Sequence, residues 1–131
     1  MSTVAESRIA ETVDRYLAAW NERSPGRRRA LIADTWVDQG YYVDPHRRGE
    51  KHDGIDAMIQ AVQERFPTYR FRLSSAVDVH NDRVRFTWEA GGTDDAPMHF
   101  VGTDFGIIAN DGRFESITGF VDVGPGAPSK P

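Results

Sequence analysis

Phe100-Val101-Gly102-Thr103-Asp104-Phe105-Gly106-Ile107-Ile108-Ala109 is a run of apolar and β-prone residues, and Asn110-Asp111-Gly112 closes it with a hairpin-turn sequence. The strand reads from Met98 to Ala109, and Phe114 to Val123 supplies its return partner. Working back from it, Val84, Phe86 and Trp88 alternate with Arg85, Thr87 and Glu89, the pattern of a half-buried strand. His80-Asn81-Asp82 is a tight turn, Tyr69 to Val79 alternates imperfectly, and Gly91 to Pro97 reads as a longer loop. The second half of the chain is therefore a set of long antiparallel strands.

The first half has helical period instead. Ile9, Val13, Tyr16, Leu17 and Trp20 share one stripe of a helix over residues 4–22. Ser24-Pro25 starts a second, shorter helix with Ala30, Leu31 and Trp36 facing inward, and Tyr41-Tyr42-Val43 follows as a short strand. Pro45 to Asp53 reads as a polar loop, and a third helix over residues 54–66 carries Ile55, Met58, Ile59 and Val62 until Pro67 stops it. Helices first and strands after imply an α+β domain, with three N-terminal helices on one face of a curved mixed or antiparallel sheet. Such a sheet, covered on one side, leaves a cone-shaped apolar pocket. A single domain over residues 1–123 and a flexible tail over 124–131 are expected.

Bulk properties narrow the function. A chain of 131 residues can bury roughly two thirds of its unfolded surface around one core. The net charge of −4 argues against nucleic acid, and the Arg27-Arg28-Arg29 cluster is expected on the exposed part of the second helix. No apolar run approaches the ~18 residues that span a membrane, and Met-Ser-Thr-Val-Ala-Glu-Ser-Arg is too polar for a signal peptide. With no cysteine, thiol chemistry and disulfides are absent, which fits the cytoplasm. His46, His52 and Asp44 match no dedicated metal-site spacing, so neither metal nor cofactor is expected.

Three polar residues stand where apolar ones belong. Tyr16 lies on the apolar stripe of the first helix, Asp44 sits between Val43 and Pro45, and Asp104 interrupts the hydrophobic strand. Converging in an apolar pocket, they would make an acid–base site, because a buried carboxyl shifts its pKa toward catalytic use. Simpler readings stand beside this one. Tyr16 fits a core tyrosine, Asp44 a turn-forming Asp-Pro pair, and Asp104 a salt bridge to Arg85 or Arg113.

The pieces Val13-Asp14-Arg15-Tyr16-Leu17-Ala18-Ala19-Trp20-Asn21, Ala33-Asp34, Val43-Asp44-Pro45, Asp53-Gly54-Ile55-Asp56-Ala57-Met58 and Gly102-Thr103-Asp104-Phe105 occur in an order that resembles the NTF2-like superfamily. Within it, the likeness is to SnoaL-like and ketosteroid-isomerase-like proteins. The resemblance implies a cone fold, a homodimer and a site in which Tyr16 and a protonated Asp104 form an oxyanion hole while Asp44 moves the proton. His46 is a further candidate for the acid–base set. Trp20, Trp36, Tyr42, Met58, Phe86, Trp88 and Phe120 are candidates to line the pocket.

Two functions of different class follow. One is a cofactor-free isomerase or cyclase acting on a small hydrophobic carbonyl compound, and the other a non-catalytic ligand-binding or dimeric interaction module. Epoxide hydrolysis through an Asp104–Arg85–Asp44 relay is a weaker third. The loop after Asp44 brings His46, Arg47, Arg48, Lys51 and His52, more charge than a steroid-binding mouth calls for.

Overall fold

A computed structural model describes residues 4–92, 99–125 and 127–128. Three helices, α1 (Val4–Asn21), α2 (Pro25–Thr35) and α3 (Lys51–Arg65), pack on one mixed sheet. Its strands are β1 (Trp36–Val43), β2 (Arg48–Glu50), β3 (Arg70–Leu73), β4 (Asp78–His80), β5 (Arg83–Gly91), β6 (His99–Ile108) and β7 (Phe114–Val123). The order across the sheet is β2-β1-β7-β6-β5-β3, with β4 also pairing β5. Among the described strands, only β1 with β7 is parallel. The expected α+β cone, with three helices on a curved, unclosed sheet, is the fold observed.

Several elements differ from the sequence reading. Trp36 is not on α2 but opens β1, eight residues long rather than three. The stretch read as a polar loop holds β2 and the first turn of α3, which starts at Lys51 with φ 61°. The span from Tyr69 to Val79 divides into β3 and β4. The buried residues of α2 are Arg28, Ile32 and Thr35; Leu31 is half-buried against the core as expected, whereas Ala30 is exposed. Arg27 and Arg29 are exposed as expected, but Arg28 is buried, its Nε 2.7 Å from Asp56 Oδ1 on α3 and its other nitrogens on Gln63, Gln60 and the Glu22 carbonyl. Hydropathy assigns arginine to the surface; this one is inside because a distant residue supplies the counter-charge. Met98 and most of the Gly91–Pro97 loop lie outside the described residues.

The β6–β7 hairpin turns at Gly112 (φ 88°), and Thr12 of α1 donates its hydroxyl to the Gly112 carbonyl at 2.9 Å. The β6–β7 register shifts twice, between Val101 and Gly102 at the far end and between Ile107 and Ile108 next to the turn. Ile108 pairs with Phe114 but Ile107 with Ser116, so Glu115 is an extra residue in β7. The slip next to the turn reverses which residues face the helices. Phe114 points inward before it, and Ile117, Gly119 and Val121 point inward after it.

Candidate active site

The middle of the inner face of β6 is nearly bare, with Gly102, Asp104 and Gly106 between Phe100 and Ile108. Trp88 of β5 is the cross-strand partner of Gly102, and a side-chain carbon at 102 would overlap its indole. The glycine lets the ring lie across β6, where Nε1 donates to Asp104 Oδ1 at 2.9 Å. From α1, the Tyr16 hydroxyl meets Asp104 Oδ2 at 2.5 Å. Tyr16 is held by edge contacts with Trp36, Phe86 and Phe114 at ring-centroid distances of 5.4, 5.7 and 5.8 Å. Asp104 is 1% exposed, and both of its oxygens are engaged.

Asp44, at the end of β1, closes a turn. Its Oδ1 accepts the backbone N–H groups of His46 (2.7 Å) and Arg47 (3.0 Å), and Oδ2 accepts the Tyr42 hydroxyl at 2.7 Å. Gly119 of β7 locates the meeting point. A methyl group there would touch Asp104 Oδ1 and the Tyr42 oxygen, each at 2.9 Å, and Asp44 Cβ at 3.3 Å. Tyr16, Tyr42, Asp44 and Asp104 thus form two phenol–carboxyl pairs on either side of one glycine.

The four line a cavity of about 360 Å³ walled mainly by apolar and aromatic side chains. Of the other expected residues, Trp20, Trp88 and His46 line it too. Trp36, Met58 and Phe86 do not. They are 0%, 6% and 1% exposed in the core behind the site. Phe120 is on the opposite face of the sheet, 56% exposed, because the extra residue at Glu115 reverses the alternation that would have turned it inward. The sequence reading missed Arg47, Arg65, Phe100 and Pro125 as lining residues. Pro125 falls in the segment expected to be a loose tail. Its carbonyl accepts His46 Nε2–H at 2.7 Å, so this part of the segment forms the cavity rim.

Two pairings considered for Asp104 are not made. Arg85 points outward to Asp78 at 2.7 Å, and Arg113 binds Asp111 and the Ala33 and Trp36 carbonyls. The Asp104–Arg85–Asp44 relay considered for epoxide hydrolysis is therefore not assembled. His52 bonds the Trp36 carbonyl at 2.8 Å, away from His46. Among the described residues, no group of three or more His, Asp or Glu is arranged to hold a metal ion.

Burial dominates the electrostatics. It pushes the Asp104 carboxyl up to about 7, against the lowering effect of the Tyr16 and Trp88 hydrogen bonds, with the Asp44 and Asp122 charges adding to the rise. Burial likewise raises both phenols well above the ordinary tyrosine value, and the neighbouring carboxylates push the same way. Arg47 offsets part of this at Tyr42. The site therefore holds one carboxyl poised to gain or lose a proton near neutrality and two phenols that stay protonated.

Comparison with known proteins agrees with this architecture. The SnoaL-like domain family matches residues 13–117. A presumed isomerase of the SnoaL-like family from Agrobacterium tumefaciens str. C58 is 38% identical, with a TM-score of 0.83 over 89% of this chain and 99% of that one. A presumed SnoaL-like polyketide cyclase from Jannaschia sp. CCS1 shares the fold at 18% identity (TM-score 0.76; 93% and 90% covered). So does a presumed polyketide cyclase from Bacillus cereus ATCC 10987, at 19% identity (TM-score 0.73; 93% and 79% covered). No curated protein matches the chain. No helix among the described residues is long and apolar enough to cross a membrane. By the family match over most of its length and by its similarity to the Agrobacterium protein, the chain belongs to the SnoaL-like domain family.

Proposed function

We propose that the protein is a cofactor-free acid–base enzyme that forms and redirects the enolate of a small hydrophobic carbonyl compound. The observation that carries this reading is the convergence of Asp44, Tyr42 and Asp104 on the space beside Gly119, at the polar end of an apolar cavity. Asp44, with its oxygens fixed by three donors, is the base that removes a proton from the carbon next to the carbonyl. Electrons move onto the carbonyl oxygen, which needs a hydrogen-bond donor as it becomes an enolate. Tyr16 supplies it. When Asp104 is protonated, its Oδ2–H donates to the Tyr16 oxygen, and the phenol's own hydrogen is free to point into the cavity.

Asp104 thus acts behind Tyr16 rather than as an independent donor, since Trp88 and Tyr16 already occupy its two oxygens. Return of the proton from Asp44 to a different carbon gives an isomer; attack of the enolate carbon on a second carbonyl closes a ring, and the proton from Asp44 passes to the new alkoxide. Isomerase and cyclase, the words attached to the similar structures, share this first step. His46, with Nε2–H committed to Pro125, is a rim residue in this scheme rather than the base.

Deuterium exchange at the α-carbon of a panel of small aromatic ketones, followed by NMR, tests the reading. The wild-type protein is expected to accelerate exchange, Asp44→Asn to abolish it, and Tyr16→Phe to slow it on the order of 100-fold. Ketones that bind without accelerated exchange would instead mark a binding module.

A further inference from the structure

Arg47 and Arg65 reach the cavity from different elements. Arg47 follows Asp44 in the loop between β1 and β2, Arg65 lies in the last turn of α3, and both line the cavity. Among the described residues, neither guanidinium forms an ion pair. Arg47 gives Asp44 only its backbone N–H, and Arg65 lies over the Phe66 ring, 5.7 Å from its centroid. Many other arginines find acids, as Arg28 does with Asp56, Arg72 with Glu89 and Arg85 with Asp78, and Arg23, which lacks one, caps the Gln63 and Tyr69 carbonyls instead. A cation at a helix C-terminus favours the helix dipole, which accounts for Arg65 as a residue type. Arg47 serves no helix end. An unpaired guanidinium beside apolar walls is a receptor for a planar oxyanion, which it can bind through two parallel hydrogen bonds.

The polarity of the cavity runs one way. Its floor is fully buried at Asp104 and Tyr16, while Arg65 is exposed and Arg47 half-buried. We propose that the ligand is a hydrophobic keto acid, with its carboxylate between Arg47 and Arg65 at the mouth and its carbonyl at Tyr16 on the floor. For the inner end only, this rests on the enolate reading above. A monoanion fits better than a phosphate dianion, because Asp44 already sets one negative charge on the same loop as Arg47.

The test compares two probes with one apolar body and one carbonyl, 3-benzoylpropionate and its methyl ester, by isothermal titration calorimetry at pH 7. The acid is expected to bind about tenfold more tightly than the ester at low salt, and to lose that advantage as sodium chloride is added. In Arg47→Gln and in Arg65→Gln the acid-to-ester preference should shrink several-fold, with the ester reporting whether the cavity survived. Equal affinity of acid and ester, a preference kept in both variants, or no binding of either at millimolar concentration overturns the inference. So does tighter binding of phenyl phosphate than of the acid. The two readings fail separately: selective acid binding without deuterium exchange sinks the enzyme, and exchange on neutral ketones without acid preference sinks the carboxylate.

Discussion

Asp104 is a carboxyl whose ionisation changes what its neighbour can do. On the enolate reading, the carboxyl protonated below about 7 donates to the Tyr16 oxygen and leaves the phenol hydrogen for a ligand. Above about 7 it is a carboxylate that takes that hydrogen for itself. Of the groups that act on it, the phenols Tyr16 and Tyr42 stay protonated there, since burial raises both, while the Asp44 and Asp122 charges add to its rise. Turnover is therefore expected to fall as pH rises through about 7, with the slope of a single ionisation. Asp104→Asn gives the sharper measurement. An amide oxygen accepts from Trp88, its NH₂ donates permanently to Tyr16, and the alkaline loss in the pH–kcat profile should disappear while turnover survives. Persistence of the alkaline limb in that variant would remove Asp104 from the mechanism.

At the scale of elements, the site depends on two features of different visibility. The helical stripe that includes Tyr16, the Val43-Asp44-Pro45 corner and the long strand carrying Asp104 were all legible, because each rests on local period or turn chemistry. That the three meet came from element order and family resemblance, not from spacing. Phe120 was misplaced because no residue type marks Glu115 as the extra residue that reverses β7. The same slip sets Gly119, with no side chain, opposite Asp104, and so opens the space the site uses. Arg28 was misplaced because its partners, Asp56 and Gln63, are on another helix. This buried pair ties α2 to α3, and α3 with the residue that caps it supplies Val62, Arg65 and Phe66 to the cavity region. Asp56→Asn, which strands a buried guanidinium, is expected to cost about 3–5 kcal/mol in urea unfolding. The double variant Arg28→Met with Asp56→Leu should recover much of that loss. If Asp56→Asn unfolds like the wild type, the pair does not hold the helices together.

For the molecule as a whole, a site of this kind sets function against stability. An ordinary aspartate in the unfolded chain ionises around 3.8, whereas Asp104 in the folded protein holds its proton to about 7. Below 3.8 both states carry the proton and Asp104 costs nothing extra. Between 3.8 and about 7 the unfolded state releases its proton more readily, so stability falls as pH rises, and beyond 7 the full cost remains. The cost is on the order of 4 kcal/mol, a large share of the roughly 5–15 kcal/mol that holds a typical domain folded. Asparagine at 104 keeps the Trp88 and Tyr16 hydrogen bonds without a charge to bury. Asp104→Asn is therefore expected to raise the unfolding free energy at pH 8 and to leave it nearly unchanged at pH 3.5, as read from urea denaturation at the two pH values. The opposite pattern, with stabilisation only in acid, would mean that Asp104 is held as a carboxylate by Tyr16 and Trp88, and the hydroxyl of Tyr16 would then have no hydrogen to offer a ligand.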